Sequence, residues 1–296
     1  MNYNNSNLKK MLNIPIKNVI DEIVKTVQLI SPNKNSFYRR NVKYTTEDYA
    51  VGIIDVLRTS ISWNRYSGLI NGNTLRKKHN EWCNLNIYEH VYEKFFNKYI
   101  NTVSFTEELK YQSIDSTHID DINGSKSSSY SGIYKRRKGE ASKGVKVTSL
   151  VTTNGIPISI NISPANKYDS PILPEIVNNI IIDCKTKEYT NNNRYKQYIL
   201  ADSGYDSKNN MNVLTKKGYT PIIIQNRRNI KKRKLIRTYS KKSMEIYKKR
   251  IKVENYHSWI KKFPKIKSLY EKNINYYKGL LLIGVSIIIS RRIKIK

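Results

Sequence analysis

Hydrophobic residues in the first hundred positions recur every three or four residues, which is the period of an α-helix. Four such stretches are separated by polar caps and turns, and the third follows a Gly-Asn turn at 72–73, with Asn73 or Thr74 as its cap. They are residues 15–30, 45–57, 75–83 and 88–99. The pattern predicts an all-helical region over residues 1–105, with Trp63 and Trp82 in its core.

From residue 106 the pattern changes to short β-branched and aromatic runs divided by turn residues. These predicted strands are residues 111–119, 145–153, 157–163, 197–201 and 220–225. Asn154 and Gly155 predict a hairpin between the second and the third. Helices are predicted over 170–180 and 207–217. Strands first, then strands alternating with helices, indicate an α+β (mixed α/β) domain over residues 106–296, with helices packed on a mixed sheet.

The charge of the chain indicates its partner. Lys and Arg number 54 against 23 Asp and Glu, a net charge of +31, so a polyanion such as DNA is expected. Residues 226–242 are almost continuously basic and predict a loop that becomes ordered on DNA. The longest apolar run, Gly279 to Ile289, is shorter than the roughly 20 residues of a membrane helix and predicts a buried helix instead. We expect no membrane association.

Two cysteines, Cys83 and Cys184, are too few for a disulfide scaffold and lack the spacing of a zinc site. This usage favours a reducing compartment, and together with the charge it predicts an intracellular, DNA-associated protein. Arg76, Lys77 and Lys78 open the third helix, as they would in the recognition helix of a helix-turn-helix. A basic helix in a basic protein explains them equally well.

Tyr247, Arg250, Glu254 and Lys261 fall within about 60° of one another on a continuous helix with roughly 100° per residue. The same helix would bury one flank made of Ile246, Val253 and Ile260 and another made of Met244 and Ile251. A single carboxylate among basic and tyrosine side chains suits a phosphodiester site. The alternative is a solvated helix face with pairs four residues apart.

If Glu254 binds a metal ion, other carboxylates must converge on it. Asp115 lies within the first predicted strand, before the small residues Ser116 and Thr117, and Asp202 follows the strand that ends at Ala201. For Asp202, a turn or helix cap is an equally good explanation. We interpret Asp120 and Asp121 as turn residues, and Asp169 as the N-cap of the next helix.

The spacing Tyr247, Arg250, Glu254, Lys261 resembles the Tyr-Arg-Glu-Lys signature of bacterial insertion-sequence DDE transposases. Three further segments resemble motifs of the same family, in the same order along the chain. They are Asp115-Ser116-Thr117, Gly144-Val145-Lys146 and Ala201-Asp202-Ser203-Gly204-Tyr205-Asp206. The resemblance implies an RNase H-like catalytic domain with a mixed five-stranded sheet, preceded by a helical DNA-binding region.

The resemblance also implies an activity: cleavage at transposon ends and transfer of the 3′-OH into target DNA by an oligomer, a homodimer or larger, that recognises terminal inverted repeats. Asp115, Asp202 and Glu254 would be the catalytic and metal-binding residues, holding two Mg²⁺ ions, with Mn²⁺ as an alternative. Tyr247, Arg250, Lys261 and Lys146 would contact DNA. Two other functions stay open, an RNase H-like nuclease that does not join strands and a non-catalytic DNA-binding protein derived from a transposase.

Overall fold

The computed structural model describes residues 13–32, 44–123, 129–136, 139–181, 196–227 and 236–293. Cys184 and residues 228–235 of the predicted basic loop lie outside this description. The described helices are α1 (Ile14–Ile30), α2 (Thr46–Arg58), α3 (Gly72–Asn84), α4 (Ile87–Ile100), α5 (Phe105–Glu108), α6 (Ile172–Asn178), α7 (Lys208–Lys216), α8 (Lys241–Lys248), α9 (Ile251–Ile260), α10 (Pro264–Lys267) and α11 (Ile274–Ser290). The described strands are β1 (Tyr111–Asp121), β2 (Gly132–Lys135), β3 (Ala141–Val151), β4 (Pro157–Pro164), β5 (Tyr198–Ala201), β6 (Thr220–Ile223) and β7 (Ser268–Leu269).

The chain divides into two compact units, which differ in their secondary structure. The first consists of Met1–Thr102, Asp121–Ser129 and Ile260–Lys296, and the second of Val103–Asp120 and Tyr130–Trp259. The C-terminal helix α11 thus belongs with the N-terminal helices. The division at residue 105 that the sequence indicates stays a prediction.

In the helical unit, α11 packs against α1, α3 and α4. Residues 279–290 of α11 are all buried, as the apolar run predicts. Trp63 and Trp82 also lie in the core, which confirms their predicted role. None of the helices in the described ranges combines the length and hydrophobicity that a membrane crossing requires.

Helix α3 begins earlier than the sequence indicates. Its N-cap is Asn71, whose side chain accepts a hydrogen bond from the Asn73 N–H at 2.9 Å, so Gly72 and Asn73 form the first turn of the helix. The prediction of a turn at 72–73 was therefore wrong, and so was the prediction that Asn73 or Thr74 caps the helix. A side-chain acceptor in front of the helix satisfies a free N–H that a loop conformation would leave to water.

The second unit is built on a mixed sheet with the strand order β2-β3-β1-β5-β6. Strand β3 is antiparallel to β1, whereas β5 is parallel to both β1 and β6. On its other edge β3 pairs with β2 through residues 141–144 and with β4 through residues 145–151. Strands β4-β3-β1-β5-β6 are the five expected of an RNase H-like fold, so the predicted fold class is confirmed. The short β2 adds a further strand beside β3.

The hairpin between β3 and β4 closes at Asn154 and Gly155, as predicted. Gly155 has a φ of 82°, which favours glycine, and the Thr152 N–H donates to the Ile156 carbonyl at 2.8 Å. The prediction that Asp120 and Asp121 are turn residues was wrong, because both belong to β1. The Asp120 carboxylate accepts hydrogen bonds from Ser142 and Arg136, which hold it within the sheet.

Candidate active site

Asp115 and Asp202 are brought side by side by two parallel strands. In the pairing of β1 with β5, Ser113 lies opposite Leu200. Two residues further along each chain come Asp115 and Asp202, and neighbouring strands are only about 4.8 Å apart. Burial raises the pKa of Asp115, and the negative charge of Asp202 adds a smaller contribution in the same direction. Asp202 therefore lies at the carboxyl end of β5, where α/β sheets bind ligands, and Asp115 lies beside it on β1.

Asp115 is largely buried and carries a cationic partner. Its Oδ2 accepts a hydrogen bond from Arg250 Nη1 at 2.7 Å, and its Oδ1 accepts one from the Ser116 N–H at 2.8 Å. Burial raises the pKa of Asp115, whereas Arg250 opposes this shift. Arg250 thus compensates part of the cost of holding a charged carboxylate in this position.

Arg250 also binds Glu254. Its Nη2 donates to Glu254 Oε1 at 2.7 Å, so one guanidinium group joins a carboxylate of β1 to a carboxylate of α9. The Glu254 side chain is 46% exposed, compared with 21% for Asp115. Glu254 therefore lies at the open side of the site, within reach of a ligand.

The segment from Tyr247 to Lys261 is not one continuous helix, so this part of the prediction was wrong. Helix α8 ends at Lys248, and the N–H groups of Arg250 and Val253 donate to carbonyls three residues back. This tighter winding shifts the phase between α8 and α9. Ile246, Val253 and Ile260 are buried as predicted, but Met244 is 38% and Ile251 49% exposed, so the second buried flank does not exist.

Asp202 caps a short turn. Its Oδ1 accepts a hydrogen bond from the Gly204 N–H at 2.8 Å and thereby starts the 3₁₀ turn Ser203–Tyr205. The two explanations that the sequence left open, turn cap and site carboxylate, are compatible, because the cap uses only one carboxylate oxygen. The turn fixes the carboxylate at the end of β5.

The other candidate DNA contacts lie in several places. Tyr247 is partly buried against Leu200 and Ile246. Burial raises its pKa, and Asp202 and Asp115 add to this shift. Lys146 is only 5% exposed, and its Nζ donates to the Lys167 carbonyl at 2.7 Å and to Asp169 Oδ1 at 2.9 Å. Its contact with DNA stays a prediction.

Four predicted DNA contacts belong to the helical unit. Arg76 forms an ion pair with Glu271 at 3.4 Å, and Lys78 forms one with Glu81 at 2.8 Å, whereas Lys77 is exposed. Lys261 follows the last residue of α9 and is partly buried. Because the pairs of Arg76 and Lys78 are partly exposed, a phosphate can compete for these cations.

Asp169 is a site residue that sequence reasoning assigned wrongly. The N-cap of α6 is Pro171, with no side-chain cap, and the carboxylate of Asp169 instead binds Lys146 and the Ser116 hydroxyl at 2.9 Å each. Asp206 pairs with Arg237, and Ser207 caps α7. The negative charge of Asp169 was the indication of this role that the sequence contains. A buried Lys146 on β3 requires a nearby anion.

The donor atoms of this site suit Mg²⁺, which prefers carboxylate oxygens. Among the described residues, however, no group of three or more His, Cys, Asp or Glu side chains is already arranged as a metal cage. The reason is visible in the contacts, since Glu254 and Asp115 are both turned to Arg250. The residues fit the ion chemically.

Comparisons with known proteins place this site in a family. No curated protein matches the sequence. A family model described as "Transposase DDE domain" matches residues 111–284, which is more than half of the 296-residue chain and contains Asp115, Asp202 and Glu254. The chain therefore belongs to the transposase DDE domain family.

Proposed function

We propose that this chain is a DNA transposase that cuts DNA at the ends of a mobile element and joins the freed 3′-OH to target DNA. The supporting observation is that Arg250 hydrogen-bonds to both Asp115 and Glu254, while Asp202 follows the strand beside Asp115. Two acidic side chains from separate elements thus share one cation, and the third carboxylate follows the strand beside Asp115. This is the set of groups that metal-dependent phosphoryl transfer requires.

In this proposal Asp115, Asp202 and Glu254 hold Mg²⁺. When bound, the metal supplies activation of a water or 3′-OH nucleophile and stabilisation of the leaving oxygen. The carboxylates by themselves would repel DNA, so the chain must attract the phosphates with positive charge nearby. Exposed lysines on and beside α8 meet this need, and they are Lys241, Lys242, Lys248 and Lys249.

Arg250 has two roles in the proposed cycle. Before DNA arrives, its guanidinium compensates the charges of Asp115 and Glu254. Once the carboxylates have another counter-charge, the planar group with its several donors suits a DNA phosphate. The binding of terminal repeats and the assembly into a homodimer or larger oligomer are parts of the same proposal.

The proposal is tested with a supercoiled plasmid that carries the coding region and its native flanks. We expect the purified protein to nick the plasmid at the element ends in Mg²⁺ and to join the ends to a second plasmid. Asp115→Asn, Asp202→Asn and Glu254→Gln should each reduce cutting to background while DNA binding persists. Glu245→Gln, which changes an exposed carboxylate on α8, is the control and should cut normally.

The outcomes separate the alternatives. Cutting without joining identifies a nuclease, and binding without any metal-dependent cutting identifies a non-catalytic DNA-binding protein. Full cutting by Glu254→Gln would remove the assignment of Glu254.

A further inference from the structure

The hydroxyl group of Ser116 is the centre of a partly buried hydrogen-bond network. Its Oγ lies 2.8 Å from Thr148 Oγ1, 2.8 Å from the Tyr205 hydroxyl and 2.9 Å from Asp169 Oδ1. A serine hydroxyl has one hydrogen and two lone pairs, and a carboxylate can only accept. Ser116 therefore donates to Asp169 and accepts from Thr148 and Tyr205, which uses its full capacity.

This network joins the two elements that carry Asp115 and Asp202. Ser116 directly follows Asp115 on β1, and Tyr205 ends the turn that Asp202 begins. Tyr205 is fully buried, and its pKa is raised well above the usual range by burial, with Asp169 adding to the shift. Its hydroxyl is therefore protonated at neutral pH and available as a donor to Ser116.

Asp169 is held in this network by Lys146. The Lys146 ammonium donates to the same Asp169 oxygen that accepts from Ser116, and it also donates to the Lys167 carbonyl. A cation that is only 5% exposed needs such partners, because an unpaired buried charge is strongly unfavourable. Lys146 thereby fixes both the carboxylate and the backbone just before it.

The second oxygen of Asp169 reaches the turn at Asp202. A Cβ atom built on Gly204 would lie 3.1 Å from Asp202 Oδ1 and 3.3 Å from Asp169 Oδ2. Two carboxylates thus approach the same backbone position from two different elements. Their repulsion is offset by Lys146 on one side and by the Gly204 N–H on the other.

We propose that Asp169 is a positioning residue, held by Lys146, which sets the spacing of Asp115 and Asp202 through Ser116 and Tyr205. The inference rests on the proposed function, because the spacing matters for a metal ion shared by the two carboxylates. Asp169 acts through other groups and does not itself react. Groups that orient metal ligands in this way typically change metal affinity or activity by about 10–100-fold when they are replaced.

The test compares Asp169→Asn, Lys146→Met, their double variant and Tyr205→Phe. We expect Asp169→Asn and Lys146→Met each to raise the Kd for Mn²⁺ by about 10-fold or more. Electron paramagnetic resonance of Mn²⁺ measures this Kd. The double variant should be no worse than the weaker-binding single variant, because the two side chains act as one unit. In cleavage assays of Asp169→Asn, kcat should fall by a similar factor, while the Kd for DNA changes less than about threefold.

A second readout needs neither metal nor DNA. In the metal-free protein, hydrogen exchange at the amides of Ser116 and Gly204 should be about 10-fold faster in Asp169→Asn and in Tyr205→Phe than in the wild type. Tyr205→Phe removes one hydroxyl and keeps the buried ring, so it provides the answer if Asp169→Asn does not fold.

Asp120→Asn is the matched control. Asp120 lies on the same strand as Asp115 and binds Ser142 and Arg136, outside the proposed network. This variant should lose stability and keep the Mn²⁺ affinity of the wild type. The inference is overturned if Asp120→Asn weakens Mn²⁺ binding as much as Asp169→Asn does. It is also overturned if Asp169→Asn and Tyr205→Phe leave both the Mn²⁺ affinity and the hydrogen-exchange rates unchanged. A wild type that binds DNA but never cuts it contradicts the proposed function instead, and the exchange rates still decide on the network.

Discussion

Arg250 Nη1 lies 2.7 Å from Asp115 Oδ2, so a cation from the segment between α8 and α9 is paired with the carboxylate in the middle of β1. The side chains are only 19% and 21% exposed, and water screens them little. Burial raises the pKa of Asp115 in spite of this pair. The pair therefore compensates part of the cost of burying Asp115, and the loss of stability when it is removed should depend on pH.

Arg250→Gln tests this compensation. A carboxyl whose pKa is raised on folding binds its proton more tightly in the folded state, so its cost to stability grows as the pH rises above the unfolded pKa of about 3.9. Without Arg250 the pKa of Asp115 rises further. We expect Arg250→Gln to lower the free energy of unfolding by about 1.5–3 kcal/mol at neutral pH. Urea unfolding measures this loss. The loss should shrink when the pH is lowered to about 3, below the unfolded pKa, where Asp115 is mostly protonated in both states.

Glu254→Gln is the control for Arg250→Gln. It removes an exposed pair between residues four apart and should cost at most about 0.5 kcal/mol. A loss in Arg250→Gln that is the same at both pH values would contradict the assignment to Asp115.

The sequence could predict the elements because burial follows a local period. Helix α1 illustrates this, since its apolar positions coincide with its buried face. The break between α8 and α9 could not be predicted in the same way, because Lys248, Lys249 and Arg250 are good helix formers without a Gly or Pro to mark it.

Partners that are distant in the sequence escaped prediction for a related reason. Asp169 binds Lys146 and Ser116, which are 23 and 53 residues away. Next to Ser170 and Pro171, its local surroundings favour a helix cap. The strand register that brings these groups together depends on the whole sheet, and no local pattern contains it.

Gly155 supports the segment that carries Glu254, and its replacement should show this. An added Cβ would lie 3.0 Å from the Lys252 carbonyl, and the φ of 82° is itself unfavourable for alanine. Gly139 has the same φ of 82° with nothing within 4 Å, so Gly139→Ala measures the backbone cost alone, about 1–2 kcal/mol. We expect Gly155→Ala to lose clearly more stability than Gly139→Ala in thermal unfolding. Equal losses of stability would mean that the contact between the turn and α9 does not matter.

Glu271 anchors a buried charge cluster in the helical unit. Glu271 and Lys265 are each 1% exposed, and Trp63 Nε1 donates to Glu271 Oε1 at 2.7 Å. Burial lowers the pKa of Lys265, and Glu271 opposes this shift. Glu271→Gln keeps the shape of the side chain and removes its negative charge. We therefore expect the free energy of unfolding, measured in urea, to fall by about 3–5 kcal/mol.

The pH dependence provides the check on Glu271. Without its anion Lys265 has a still lower pKa when folded, so the variant should regain stability as the pH rises and Lys265 releases its proton. Glu81→Gln removes the partner of Lys78 in a more exposed pair and should cost at most about 1 kcal/mol. A loss in Glu271→Gln no larger than in Glu81→Gln would mean that Lys265 does not depend on this carboxylate.

Lys261 is the last residue of the spacing that first indicated a phosphodiester site, and it follows the end of α9, seven residues beyond Glu254. If its ammonium binds a DNA phosphate, Lys261→Ala removes one counterion-releasing contact. The slope of log K against log salt should then fall by about one, with similar weakening for unrelated sequences. Fluorescence anisotropy with a labelled duplex at several salt concentrations measures the slope. Lys262→Ala is the control, because Lys262 is the adjacent lysine beyond the end of α9 and its side chain is exposed. An equal change of slope in both variants would show that Lys261 contributes general positive charge and not a defined phosphate contact.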